Sequence, residues 1–399
     1  MIFVTKLGGI IMRINKACCI FLCMLLVFVT SSSVFAFTTT NQQSTRDQML
    51  QTATKLVENI PTEGFGGQYF DESGHLVINV KKEFSETVNT QLQKKVSEHV
   101  KVRIVKYSLA ELEEMKKAII PYMTEYGIAT LDANEVTQTI DIELYADNLQ
   151  LYELIKSLSI VDPEIVNVVV LDSDIRFSNA VSYEPPDYNS AEAIINTMPT
   201  NRSTLPPLTI YPGMVLHNLT ENGYFTAGPN SGYGTFYSAG HCTENGDYIG
   251  VYPAIPTTPP YSNHIGRVVG HCFSSSGDFC EIAVENLGAL PNGLKFDNGN
   301  TYMLGYTCYT GDGVELLGGF SGLVSGSVSG TNVAKEFDGL IIDGLIKTTI
   351  QCRRGDSGGG LYSRYSYNNG SGKCYGVLTG GDFYVNSETS FNAYFSPFW

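Results

Sequence analysis

The chain has 399 residues, 43% of them apolar, with a formal net charge of -15 and a pI near 4.8. That length exceeds what one core usually serves and predicts two domains plus a short processed segment. An acidic surface repels phosphate backbones and anionic lipids, which excludes nucleic acid and membrane surfaces as expected partners. The apolar content excludes a wholly disordered or fibrous chain.

The N-terminus carries a basic start, Met12-Arg13-Ile14-Asn15-Lys16, an apolar run from Ala17 to Val29, and small residues up to Ala36. This three-part layout predicts a secretory signal over residues 1–36, cut after Ala36. The apolar run is too short for a full membrane span. Of nine cysteines, Cys18, Cys19 and Cys23 fall in the signal and six lie between Cys242 and Cys374. An even set in an exported domain predicts three disulfides and marks out a separate C-terminal domain.

Residues 37–200 read as mixed helix and strand with an internal duplication. Gly67 to Phe70, a turn at Asp71 to Gly74 and a strand His75 to Val80 resemble Tyr126 to Leu131, a turn at Asp132 to Glu135 and a strand Val136 to Leu144. A helix and a further strand follow each hairpin: Glu86 to Val96 then Val102 to Tyr107, and Leu149 to Ser157 then Val166 to Leu171. Ser108 and Glu111 predict a capping box for a joining helix, Leu109 to Ile119. About residues 182–207 the chain is proline-rich and poorly periodic, which predicts an exposed linker where a protease would cut.

Residues 208–399 alternate brief apolar runs with Gly and Asn turns, the pattern of an all-β domain. The runs are Thr235 to Tyr237, Ile265 to Val269, Glu281 to Val284, Tyr302 to Tyr306, Leu340 to Ile346 and Tyr375 to Leu378.

Three motifs there carry chemistry. In Gly355-Asp356-Ser357-Gly358-Gly359 flanking glycines let the backbone present a serine hydroxyl while turning the N–H groups of Gly355 and Ser357 toward a developing oxyanion. A chance match to such a string is on the order of one in a thousand, which separates it from a glycine-rich hairpin. A serine hydroxyl needs an imidazole to take its proton, and Ser238-Ala239-Gly240-His241-Cys242 holds a histidine at a strand end. His75, His99, His217, His264 and His271 lack such a setting and read as surface or core residues. In the alternating strand Asp278 to Val284, Cys280, Ile282 and Val284 share the inward face and Asp278 takes its buried end, where a carboxylate can orient the imidazole. The rival Glu281 would put Glu285 inward. Asp247 and Asp297 read as solvated turn residues.

The order His241, Asp278, Ser357, the words Ser-Ala-Gly-His-Cys and Gly-Asp-Ser-Gly-Gly-Gly-Leu-Tyr-Ser, and the segment Gly376-Val377-Leu378-Thr379-Gly380-Gly381 resemble the chymotrypsin superfamily, and above all its streptogrisin and α-lytic protease branch. The resemblance covers roughly all residues after 207, and residues 37–200 resemble more weakly that branch's large pro-region. It implies two antiparallel six-stranded β-barrels preceded by an α+β pro-region of two duplicated subdomains. It further implies a secreted serine endopeptidase made as a zymogen, with His241, Asp278 and Ser357 catalytic, Gly355 and Ser357 forming the oxyanion hole and substrate adding as a strand along Thr379, Gly380 and Gly381. The pro-region would be folding assistant, inhibitor and intramolecular partner. Cys352 with Cys374 resembles the family bridge beside the nucleophile, and the pairing of Cys242, Cys272, Cys280 and Cys308 stays open. Gly360 stands where the family has Pro, and Thr379 where it has Ser. Gln351 lies near the implied pocket base and no acid does, which disfavours cleavage after Lys or Arg and points to apolar or aromatic residues.

No cofactor or metal is expected; a zinc domain built on His241, Cys242, His271, Cys272 and Cys280 would lack any C-x-x-C pair. Expected partners are peptide or protein substrates, with no membrane after signal removal and a monomeric assembly. The alternative function is an inactive protease homologue that binds peptides or proteins. Asn201, Asn218 and Asn369 begin sequons that a eukaryotic secretory route would glycosylate.

Overall fold

The computed structural model describes residues 4–7, 10–13, 46, 48–86, 88, 99–172, 174–179, 210–230, 234–252, 264–285, 301–337, 339–364 and 371–398. The signal run from Ala17, the linker up to Pro207, the sequons at Asn201 and Asn369, Asp297 and most of the helix expected at Glu86 to Val96 lie outside these residues. Residues 1–50 and 51–399 are separate compact units. The first contains an antiparallel hairpin, β1 (Val4–Leu7) with β2 (Ile10–Arg13).

The second unit is mostly β. Its first sheet joins β3 (Phe65–Phe70), β4 (Leu76–Lys81) and β5 (Val100–Val105), with β3 antiparallel and β5 parallel to β4. Helix α1 (Leu109–Ile119) follows with its expected bounds, because the Ser108 hydroxyl accepts the Glu111 N–H and Glu111 accepts the Ser108 N–H. Then β6 (Ile128–Asn134), β7 (Thr139–Leu144), helix α2 (Leu149–Ser157) and β8 (Val166–Val170) follow, with β6 antiparallel and β8 parallel to β7. The hairpin turn lies after Asn134 instead of at Asp132, which is paired with Asp141 inside the ladder. Asn134 Oδ1 accepts the N–H groups of Val136 and Thr137 at 2.9 and 3.0 Å, and Gln138 takes a left-handed φ of 64°. A side chain that caps its own turn fixed the position that composition alone misplaced. Strand β9 (Ile175–Asn179) ends this segment.

A six-stranded antiparallel sheet follows, from β10 (Val215–Asn218), β11 (Gly223–Thr226), β12 (Thr235–Ser238), β13 (Tyr248–Val251), β14 (Gly266–Ser274) and β15 (Gly277–Val284), in the order β11-β10-β13-β14-β15-β12. Its inward side chains, among them Leu216, Phe225, Phe236, Ile249, Val268 and Ile282, make one core cluster. The last part holds β16 (Thr301–Leu304), β17 (Gly313–Gly318), β18 (Gly322–Phe337), β19 (Leu340–Thr348), β20 (Gly360–Ser363), β21 (Ser371–Tyr384) and β22 (Ser390–Pro397). Six of these pair in the order β17-β20-β21-β22-β19-β18, and β18 pairs back onto β17. A second cluster, with Val314, Leu316, Ile346, Leu361, Leu378 and Phe395, fills this ring.

Two strands from the N-terminal segment add to the ring. β6 pairs antiparallel with the outer part of β18, Leu131 opposite Ala334 and Thr130 opposite Lys335. β9 pairs antiparallel with β21, from Asn179 opposite Gly380 to Ile175 opposite Tyr384. The seam is charged as well as hydrogen-bonded: the buried Lys116 of α1 donates to Asp343 at 2.9 Å, and Lys347 of β19 donates to Glu143 at 2.6 Å.

Candidate active site

His241 lies in a single 3-10 turn, Gly240–Cys242, straight after β12. Gly240 permits that turn, since a Cβ there would meet the Cys272 carbonyl oxygen at 2.2 Å. Asp278 is the second residue of β15 and fully buried, with Cys280 and Ile282 buried on the same face as the alternation predicted. Its carboxylate grips His241 twice: Oδ1 accepts the backbone N–H at 2.8 Å and Oδ2 lies 2.7 Å from Nδ1. On the other side of the ring, Nε2 is 2.9 Å from Ser357 Oγ. A proton on Nδ1, shared with the carboxylate, leaves Nε2 as the acceptor facing the hydroxyl. Burial pushes the imidazole pKa down, but the adjacent Asp278 carboxylate outweighs it and holds His241 well above the ordinary histidine range. Glu281, the rival acid, instead accepts from Thr235 Oγ1 on the neighbouring strand.

Ser357 belongs to the loop between β19 and β20. Gly355 takes a φ of +95° with the Phe320 ring 2.2 Å from where its Cβ would be. Gly358 takes a φ of +87°, with Ser238 Oγ 1.9 Å from its missing Cβ. Only glycine fits either position. Thr226, at the end of β11, ties this loop to the first sheet. Its N–H donates to Ser357 O at 2.8 Å and its hydroxyl to Gly355 O at 2.7 Å. The Ser357 side chain, expected to be presented to solvent, is buried in the full chain.

Serine protease 2 of Streptomyces fradiae is 30% identical to this chain over 157 residues, which are 38% of this chain and 86% of that protein. The chain belongs to the chymotrypsin-type serine proteases, in the streptogrisin and α-lytic branch. No family model matches the sequence. Among solved structures it is similar to the chymotrypsin of Cellulomonas bogoriensis, at 20% identity over 48% of this chain and 92% of that one with a TM-score of 0.36. It is also similar to an α-lytic protease homologue, N4, at 21% identity over 47% and 93% with a TM-score of 0.37.

Around the three residues this chymotrypsin-type protease carries groups that its sequence did not single out. Asp356 is fully buried, and its carboxylate collects the N–H groups of Phe320, Ser321 and Arg353 at 2.8, 2.9 and 2.7 Å and the Ser321 hydroxyl. Burial pushes its pKa up despite these donors. Ser396 of β22 accepts the Asp278 N–H at 2.9 Å, and its hydroxyl lies 3.2 Å from that of Thr379. His271, set aside on sequence grounds, has Nε2 3.1 Å from Gly240 O, behind the histidine turn. Apart from the Arg353 N–H three residues before Asp356, every partner is more than 15 residues away along the chain, which leaves little local sequence signal.

Gly380 and Gly381 line up opposite Asn179 and Ser178 of β9, whereas Thr379 lies beyond the described end of that pairing. A Cβ on Gly381 would meet Asn392 O, Ser390 Cβ and Cys352 Sγ at 2.7, 2.7 and 2.9 Å, so glycine here admits the close approach of β22. Gln351 is exposed.

Three expectations are corrected. Among the described residues no disulfide bridge is formed, and Cys352 is not bonded to Cys374. These two sit in different clusters, Cys352 with Leu378 and Phe383 and its sulfur 3.2 Å from Ser390 Oγ, Cys374 with Tyr362. Burial pushes both thiols up out of the ordinary range. Asp247 is buried rather than solvated, accepting from Asn218 Nδ2 at 2.8 Å and Glu244 N at 2.7 Å. Asn218 is buried too, its amide also donating to Cys242 O at 3.0 Å, so this fold leaves no room for a glycan on it.

Proposed function

We propose that the chain is the precursor of a secreted serine endopeptidase, with residues 1–36 as signal, 37–200 as pro-region and 208–399 as a protease domain of two six-stranded barrels. The observation that carries this reading is the aligned chain of contacts from Asp278 through His241 to Ser357 at 2.7 and 2.9 Å. Ser357 attacks the scissile carbonyl as Nε2 of His241 takes its proton. Asp278 holds the imidazole tautomer and stabilises its cation, and the N–H groups of Gly355 and Ser357 receive the oxyanion. His241 then protonates the leaving amine, and water repeats the sequence on the acyl-enzyme.

The pro-region reading is supported by the two like-ordered units, each a hairpin with a parallel third strand, and by where the second one docks. β9 runs antiparallel to Gly380 and Gly381, the place a substrate strand would take, and Ser357 is buried. Such an arrangement inhibits the protease until the segment leaves. It also supplies a template for a β-rich domain whose strand pairings are non-local and slow to form.

Expression of the full chain with and without Ser357→Ala tests this. Cleavage between the N-terminal segment and the protease domain in the wild type, with the variant remaining full length, is the expected result. Equal processing of both would remove self-cleavage from the account.

A further inference from the structure

Strand β9 does more than lie along β21: it places one aromatic ring into a formed recess. Phe177, opposite Asp382, meets Phe337 edge-on with ring centroids 4.9 Å apart and an interplanar angle of 67°. It meets Tyr394 in the same way at 5.7 Å and 73°. Lys335 sets its ammonium 5.0 Å from the Phe177 centroid and 4.9 Å from that of Tyr394. That ammonium is held by Asp382 at 2.8 Å, and Asp382 in turn accepts from the Tyr394 hydroxyl at 2.6 Å. Beneath lie Val333, Ile342 and Leu345, all buried.

We propose that Lys335, Phe337 and Tyr394 form a specificity subsite that selects an aromatic side chain in peptide substrates, at the place Phe177 occupies opposite Asp382. The inference rests on reading β9 as lying where substrate lies. The rings and aliphatic side chains that meet Phe177 come from residues 333–394, with Phe273 packed beside them; Thr130 of β6 also accepts from the Lys335 ammonium at 3.1 Å, and Asp382 remains to hold that ammonium when the N-terminal segment leaves. Edge-on ring packing and an ammonium over the ring face favour an aromatic over an aliphatic of equal volume, because both draw on the ring's quadrupole. Asp382 cancels the charge of Lys335, so the site attracts the ring face without attracting carboxylates. Phe337 also stands 5.6 Å from the His241 ring, which puts the subsite one ring away from the catalytic base.

The test uses the secreted product of the full-length gene and hexapeptides of the chain's own sequence from Ile175 to Ala180, with Phe, cyclohexylalanine or Ala at the third position. Each is made as a C-terminal nitroanilide for kcat/KM and as the free acid for Kd by calorimetry. Phe is expected to exceed Ala by about tenfold or more, the discrimination an apolar pocket gives. Phe should also exceed cyclohexylalanine severalfold. Phe337→Leu should narrow the gap between Phe and Ala, and Lys335→Met that between Phe and cyclohexylalanine. Equal Kd values for the three free acids would overturn the subsite whether or not the nitroanilides turn over. Loss of all turnover with the Kd preference intact would instead remove the protease reading.

Discussion

The backbone N–H of Asp278 donates to Ser396 Oγ at 2.9 Å, a bond that reaches from β15 of the first sheet to β22 of the second. The orienting carboxylate is thereby fixed by the opposite half of the protease. Ser396→Ala removes the acceptor and leaves a buried N–H unpaired, at a cost of about 1–3 kcal/mol. The expected outcome is lower thermal stability and a kcat reduced by about tenfold, the rate equivalent of 1.4 kcal/mol, with KM little changed. Steady-state kinetics beside a melting curve check it.

Under the proposed mechanism the Asp278 carboxylate sets the working pH. Catalysis needs neutral His241, whose pKa lies above its ordinary value, so kcat/KM rises with pH through a midpoint above about 6.5. The same shift contributes stability. A raised folded-state pKa gives stability that is fully present below the unfolded value of about 6.5 and is lost as pH rises through the folded one. Asp278→Asn should lower kcat by about 10⁴-fold by permitting the wrong tautomer, and should flatten that part of the stability profile. A pH series of kinetics and denaturant unfolding on both proteins measures the two effects together.

Lys335 and Asp382 are both buried, 2.8 Å apart. Burial pushes the Asp382 carboxyl up, but the Lys335 charge and its hydrogen bond, with the Tyr394 hydroxyl, outweigh that and hold it below the usual range. Its contribution to stability is therefore present above the unfolded pKa of about 3.9 and lost as pH falls through the folded value. Asp382→Asn leaves a buried lysine uncompensated and is expected to cost about 3–5 kcal/mol, whereas Lys335→Met with Asp382→Leu recovers most of it. Urea unfolding midpoints of the single and double variants decide this.

Gly358→Ala combines a left-handed φ with a Cβ 1.9 Å from Ser238 Oγ. The loop has to shift, and with it Ser357. We expect secreted yield to collapse, and a Ser238→Ala partner change to recover little, because Thr226 O and Ala239 N also lie within 2.8 Å of that point. Quantitative blotting of culture medium is the measurement.

How much of this was legible in the sequence follows from how local each signal is. The bounds of α1 and α2, the glycine-flanked Ser357 and the inward face of β15 were all readable, because a cap, a pair of turn glycines or a two-residue alternation declares itself within a few positions. The hairpin turn at residues 135–138 was misplaced because Asn134 caps it, and Asp247 was misread because its side-chain partner, Asn218, is 29 residues away. Cysteine parity suggested bridges that the spacing of Cys352 and Cys374 in separate clusters does not support. The placement of Phe177 beside Lys335 depends on strand pairing across more than 150 residues, which no window along the chain can reveal.

The central claim is that Ser357 is a nucleophile activated by His241. The most direct test expresses the full chain, labels the product with a fluorophosphonate probe and maps the modified peptide by mass spectrometry. The account predicts a phosphonyl group on Ser357 in the wild type, none in Ser357→Ala, and a loss of labelling below the pKa of His241. A processed, folded protein that takes up no probe at any pH would contradict it.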